Sequence, residues 1–143
     1  MARLITVDPA RGRFPEHSPE AAMLRDLGAY FGTPVAPVTI TVDDSTRFEV
    51  EGSDAAASFF VQLIANAGSF TSAHRNRVSA NLFKLAWLKQ SLFPDARLAL
   101  CITPTVTQAF APAGWSTLAA GDLGVELLLH QHGSVRPFDP TTR

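Results

Sequence analysis

The chain has 143 residues, 46% of them hydrophobic and 17% charged, which is the size of one domain with enough apolar side chains to fill a core. The 12 Lys and Arg against 13 Asp and Glu leave a net charge of −1, which excludes a surface made basic throughout for nucleic acid; any basic site has to be local. No run approaches the roughly 20 apolar residues of a membrane span and the N-terminus lacks the apolar core of a signal peptide, so neither insertion nor export is expected. The lone cysteine, Cys101, lies in an apolar run, which fits a buried thiol in the reducing cytoplasm.

Pro9, Gly12 and Pro15 punctuate the first 17 residues, so a short strand over 4–7 at most is expected there, followed by loop. Ser18-Pro19-Glu20 predicts a helix start: Ser18 caps, Pro19 suits the first helical position, and Glu20 complements the positive end of the dipole. The helix ends at Gly32, with Leu24, Leu27, Phe31 and Met23 on its inner face. Glu20 continues that inner line four residues before Leu24. It is therefore either a solvated first-turn carboxylate or a carboxylate aimed at the sheet.

Val38, Ile40 and Val42 alternate with Thr39 and Thr41, Asp43 to Thr46 form a turn, and the return strand sets Phe48 and Val50 inward with Glu49 and Glu51 on the opposite face. This is an antiparallel hairpin. Residues 58–65 are apolar on both faces apart from Gln62, as in a central strand covered by helices. A buried amide without partners costs about 1–3 kcal/mol, so Gln62 has to bond to a neighbour, a water or a ligand. Gly68 turns the chain, Thr71 or Ser72 caps a long helix, and Pro94 stops it. A buried strand over 97–102, short helices over 105–110 and 115–120 and a strand over 124–129 follow. The tail 133–143, rich in Pro and Thr, is expected to be loose. The fold class is α/β: one domain over 1–143, a mixed central sheet with helices on both faces, and loose ends at 1–17 and 133–143.

On the long helix Val78, Leu82, Leu85, Ala86 and Leu92 gather on one side, and His74, Arg77, Asn81 and Lys84 run along its flank. Their spacing lets the four polar side chains share a crevice beside the strand that carries Gln62. Phe83 and Trp87 fall on the far face, where an exposed aromatic pair suits a protein contact such as a homodimer; cover by the termini is the bland equivalent. Glycine-rich phosphate loops, a nucleophile elbow and paired-cysteine metal spacing are all missing. His130-x-His132 puts two imidazoles on one face, but no third ligand lies nearby in sequence.

The element order and several short strings resemble the PD-(D/E)XK restriction-endonuclease-like superfamily, whose core is helix, three strands with the first two a hairpin, helix, strand. The chain is most similar to a group of short bacterial members. Their centre reads roughly Val-Glu-Val-Asp-Gly, then a strand with Glu and an Ala-His-x-Gly turn, then Lys-Val-Ala-x-Asp and Lys-Leu on a helix. The matching strings are Phe48-Glu49-Val50-Glu51-Gly52, Val61-Gln62 with Ala65-Asn66-Ala67-Gly68, Arg77-Val78-Ser79-Ala80-Asn81 and Lys84-Leu85. A Trp115 helix and Leu123-Gly124-Val125-Glu126 complete a resemblance over about residues 38 to 129.

The resemblance implies a magnesium-dependent phosphodiesterase site, with acidic residues on the second and third strands and a lysine that aids the attacking water. Glu51 stands at the first acidic position, one methylene longer than Asp, and Glu20 is a weak further ligand. Gln62 stands where the second acid belongs and Ile64 where the lysine belongs; a neutral amide is a poorer ligand for a hard dication than a carboxylate. Asn66, Arg77 and Asn81 replace the expected His, Lys and Asp. Lys84 is either a replacement catalytic lysine or a snorkelling surface residue, and Arg77, which keeps its proton, suits a phosphate rather than base catalysis. The expectation is a nuclease-like domain with a degenerate metal site. It would bind nucleic acid through His74, Arg77 and Asn81, or serve as a subunit of a DNA-processing or defence assembly. The alternatives are an interaction protein that inherited the fold, and an atypical magnesium-dependent nuclease using Glu51 and Lys84.

Overall fold

The computed structural model describes residues 3–10 and 12–140. Among them run β1 (Ile5–Pro9), α1 (Pro19–Phe31), β2 (Ala36–Val42), β3 (Thr46–Ser53), β4 (Phe59–Ile64), α2 (Ser72–Trp87), β5 (Arg97–Ile102), α3 (Trp115–Asp122), β6 (Val125–Gln131) and β7 (Ser134–Pro137). A π-helical turn over Leu88–Leu92 continues α2, and a 3-10 helix covers Pro104–Ala109. The seven strands form one sheet in sequence order, β1 to β7. β4, β5 and β6 are parallel, and the other neighbours antiparallel. None of the described helices is long and apolar enough to cross a membrane.

Both faces of the sheet are covered, as alternation in the central strands demands. Phe60 and Ile64 of β4, Leu98, Leu100 and Ile102 of β5 and Val50 of β3 pack against Val78, Leu82 and Leu85 of α2. Phe59, Val61 and Leu63 of β4 and Ala99 and Cys101 of β5 pack against Met23, Leu24 and Leu27 of α1. At about 25 cal/mol per Å² of apolar surface these two layers dominate the stabilisation. Ser18 Oγ accepts the Ala21 N–H at 3.1 Å, and Gly32 ends α1 in the left-handed region at φ 73°, both as the sequence predicts.

The chain ends are ordered further than their composition suggests. Residues 5–9 pair with all of 38–42, and Ser134–Pro137 pairs with β6 after a turn in which His132 and Gly133 both have positive φ. Pro9 and Pro137 are accommodated because each sits at the end of an edge strand, where a missing N–H costs no ladder bond. For residues 1–2, 11 and 141–143 the expectation of loose ends at 1–17 and 133–143 lies outside the described residues.

Candidate functional site

The register between β2 and β3 slips between Ala36 and Val38, so that β3 spends one extra residue there, a bulge. Beyond it the pleat changes phase. Val50 faces the α2 core, whereas a Cβ on Gly52 would meet Val35 and Leu24 of the α1 core. β3 then pairs with β4 at Gly52–Val61 and Ser53–Phe60. Past this pair, side chains replace the ladder. The Glu51 N–H donates to Gln62 Oε1 at 2.9 Å, and the Leu63 N–H donates to Glu51 Oε1 at 3.0 Å. Glu51 and Gln62 thus stitch the opening between the two strands. Unbroken alternation would set Glu51 on the same face as Glu49, whose side chain is 41% exposed; the bulge instead leaves Glu51 only 13% exposed.

Gln62, 3% exposed, has both ends of its amide engaged: its Nε2 donates to Asn81 Oδ1 at 2.7 Å, and Asn81 Nδ2 donates in turn to the Arg77 carbonyl at 2.9 Å. The partner that the buried amide requires is therefore another amide from the flank of α2. Lys84, also from that flank, donates its ammonium to the Glu49 carbonyl and lies 5.5 Å from the centroid of the Phe48 ring. Arg13, from the loop before α1, reaches Glu49 Oε2 at 3.0 Å and Glu51 Oε2 at 4.0 Å. Desolvation lifts the Glu51 carboxyl above its ordinary value, against the pull of the Leu63 N–H and of Arg13, Arg77 and Lys84. Desolvation likewise lowers the Lys84 ammonium, with Glu51 opposing.

The structure brings Glu51, Gln62, Asn81 and Lys84 to one junction of β3, β4 and α2. Arg77 is exposed one turn from Asn81 and makes no ion pair among the described residues; its guanidinium acts on Glu51 only through space. His74 stands apart: its Nδ1 accepts the Thr71 N–H at 3.1 Å and its ring stacks on Phe70, so it caps α2. Glu20 lines a different feature, described below. Ile64 is fully buried in the α2-side core, as apolar packing rather than chemistry demands.

Asn66 is a loop staple. Its side chain donates to the Gly68 carbonyl at 3.0 Å and to Thr105 Oγ1 at 2.9 Å, its N–H donates to Thr103 Oγ1 at 2.9 Å, and its carbonyl accepts from both threonine hydroxyls. Trp87 corrects the expected aromatic pair: it packs on Phe48 at 5.2 Å and joins the rim of the core, leaving Phe83, 77% exposed, alone on that face. Cys101 is buried, with its thiol pushed up to about 12 by desolvation, which makes it unreactive.

Magnesium fits this junction poorly. A hard dication needs several oxygen donors, charged ones above all. Here one Glu51 oxygen holds the Leu63 N–H, the Gln62 oxygen already accepts from Glu51 N, and the neighbouring Glu49 carboxylate is paired with Arg13 at 3.0 Å. No group of three or more His, Cys, Asp or Glu suited to a metal occurs among the described residues.

A second feature lies at the carboxyl ends of β4, β5 and β6: a cavity of about 600 Å³ between the loops 65–67, 103–105 and 130–132 and the start of α1. Glu20, His130 and His132 line it, and Glu51 does not. His130 Nε2 lies 2.7 Å from Asp26 Oδ2, tying β6 to α1, with both side chains 16% exposed. Sequence reasoning missed Asp26 and Arg13. Asp26 carries a signal, since it falls three residues after Met23 on the apolar face of α1, where an acid needs a partner. Arg13 sits in an aperiodic loop and carries none.

Compared with protein-family models and with curated proteins, the chain matches none.

Proposed function

We propose that the chain is a nuclease-like domain whose metal site has been replaced by an amide and cation network, and that it binds nucleic acid through the phosphate backbone without cleaving it. The observation that carries this reading is the state of Gln62. In the position where the resemblance calls for a second carboxylate, an amide is engaged at both ends, with the Glu51 N–H and with Asn81. A side chain so engaged braces the strands, and its neutral oxygen, already accepting one N–H, is a poor ligand for a hard cation.

The element order α1, β2–β3 hairpin, β4, α2, β5 also supports the reading, being the order that the resembled core uses. So does the charge on α2: its first turn holds no acidic residue, and Arg75 and Arg77 are both exposed near its N-terminus. A helix start with its N–H groups and basic side chains suits a phosphate. Lys84 plays a bracing role, holding α2 to the Glu49 carbonyl of β3.

The reading is tested by fluorescence anisotropy of a labelled DNA duplex titrated with the chain, in chelator and in magnesium. Binding is expected in both, weakening steeply with salt, and Arg77→Ala is expected to lower the salt slope by about 1. Cleavage of the duplex in magnesium or manganese that disappears in Glu51→Ala overturns the proposal and makes the protein an atypical nuclease. Absence of binding at low salt overturns it in favour of an interaction protein.

A further inference from the structure

We propose that the cavity at the carboxyl ends of β4, β5 and β6 is a second, independent binding site, built for a small organic molecule with an apolar body and a protonated amine. In open α/β sheets, ligands collect at the carboxyl ends of the parallel strands, because the loops there diverge and leave a crevice. Three successive loops line the cavity here, and its volume of about 600 Å³ falls in the range of small-molecule sites, roughly 300–1,000 Å³.

The walls determine the body of the ligand and the charges determine its head. Pro19, Ala65, Ala67 and Pro104 give the cavity apolar walls. The polar groups of the flanking loops are largely engaged with each other: Thr103 and Thr105 both donate to the Asn66 carbonyl. No Lys or Arg is among the lining residues, and Glu20 is the one carboxylate there. The Glu20 side chain makes no hydrogen bond or ion pair among the described residues, although it is half-buried at the cavity edge. An anion entering the site would meet this carboxylate with no fixed cation to offset it, whereas an ammonium gains a counter-ion. His130 also lines the cavity, its ring held by the Asp26 carboxylate 2.7 Å from Nε2. Asp26 fixes that ring, which makes it a positioning residue.

The test uses two probes of similar shape and opposite charge, phenethylamine and 3-phenylpropionate, titrated separately into the isotope-labelled chain and followed by amide NMR shifts. Phenethylamine is expected to shift the amides of 65–67, 103, 105 and 130–132 saturably, and 3-phenylpropionate to bind more weakly. Glu20→Gln, a substitution at a side chain without partners, is expected to keep the fold and weaken phenethylamine by about fivefold. The proposal is overturned if the two probes bind equally, if the Glu20→Gln affinity is unchanged, if the shifts map elsewhere, or if neither probe shifts these amides at its solubility limit. None of these outcomes bears on the nucleic-acid reading, since Glu51, Gln62, Arg77 and Lys84 do not line the cavity.

Discussion

Replacing Gln62 by Leu separates the two things this side chain does, filling space and holding two strands and a helix together. Leu has a similar volume and is apolar, so packing in the α2-side layer is kept. What goes is the Gln62 Oε1 acceptor for the Glu51 N–H and the Nε2 donor to Asn81 Oδ1. Two hydrogen bonds at about 1 kcal/mol each give about 2 kcal/mol. The Asn81 amide is half-buried and can turn to water, but the Glu51 N–H faces the strand opening and stays unpaired, adding about 1–3 kcal/mol. The apolar gain of Leu offsets about 1 kcal/mol of this. The net loss is about 3 kcal/mol, a fall of roughly 10 °C in melting temperature for a domain of this size. Urea unfolding of wild type, Gln62→Leu, Asn81→Ala and the double variant measures it. The double cycle should return a coupling of about 1 kcal/mol between the two amides. A Gln62→Leu variant within about 0.5 kcal/mol of wild type refutes the bracing role, and leaves Gln62 a spectator whose amide is free for other work.

Stability should depend on pH in opposite senses at the two buried charges. Glu51 binds its proton more tightly folded than unfolded, so its contribution is present at acid pH and is lost as pH rises through the window above 4.5; unfolding at a pH series should show this limb flattened in Glu51→Gln. Lys84 gives up its proton more readily folded than unfolded, so stability rises as pH climbs through the window below 10.5, and Lys84→Met should remove that rise. Gly52→Ala should cost about 1–3 kcal/mol in chemical denaturation, because its Cβ would lie 2.9 Å from Val35 Cγ1 and 3.2 Å from Leu24 Cδ2 at the bulge. Trp87→Ala should cost about 3 kcal/mol through its lost packing on Phe48, while Phe83→Ser should change stability by less than about 0.5 kcal/mol; equal effects would show that the two aromatics share one environment after all.

What was legible in the sequence is what period alone encodes. The alternation at Val38, Ile40 and Val42, the all-apolar run around Gln62 and the helical spacing of Val78, Leu82 and Leu85 each report burial on a face, and each face is buried. The demand of Gln62 for a partner was legible for the same reason, since an amide in a strand buried throughout cannot be left dry. Periodicity assumes an unbroken pleat and a straight stripe, and it misleads where those assumptions break. One inserted residue in β3 turned Glu51 from a solvated position into the strand opening, and no local string announces that bulge. Trp87 lies outside the narrow helical stripe, yet Phe48 at the sheet rim gives it a surface to cover. Edge strand β7 is masked by its proline and by its polar turn, because an edge needs few apolar residues to pair.

Contacts between distant parts of the chain carry no period at all. Asp26 and His130 are 104 residues apart, and Asn66 meets Thr103 and Thr105 only because β4 and β5 end side by side. Side-chain bonding separates the two sites. Around Gln62, the polar side chains are satisfied by one another and by the backbone, so that junction derives its order from internal bonds and presents Arg77 to the outside. At the carboxyl ends of the parallel strands, the hydroxyls and amides likewise close the loops, but Glu20 is left over at a cavity with apolar walls. Glu20 complements the positive end of α1 and makes no side-chain bond among the described residues, which leaves its carboxylate open to a cation from solution.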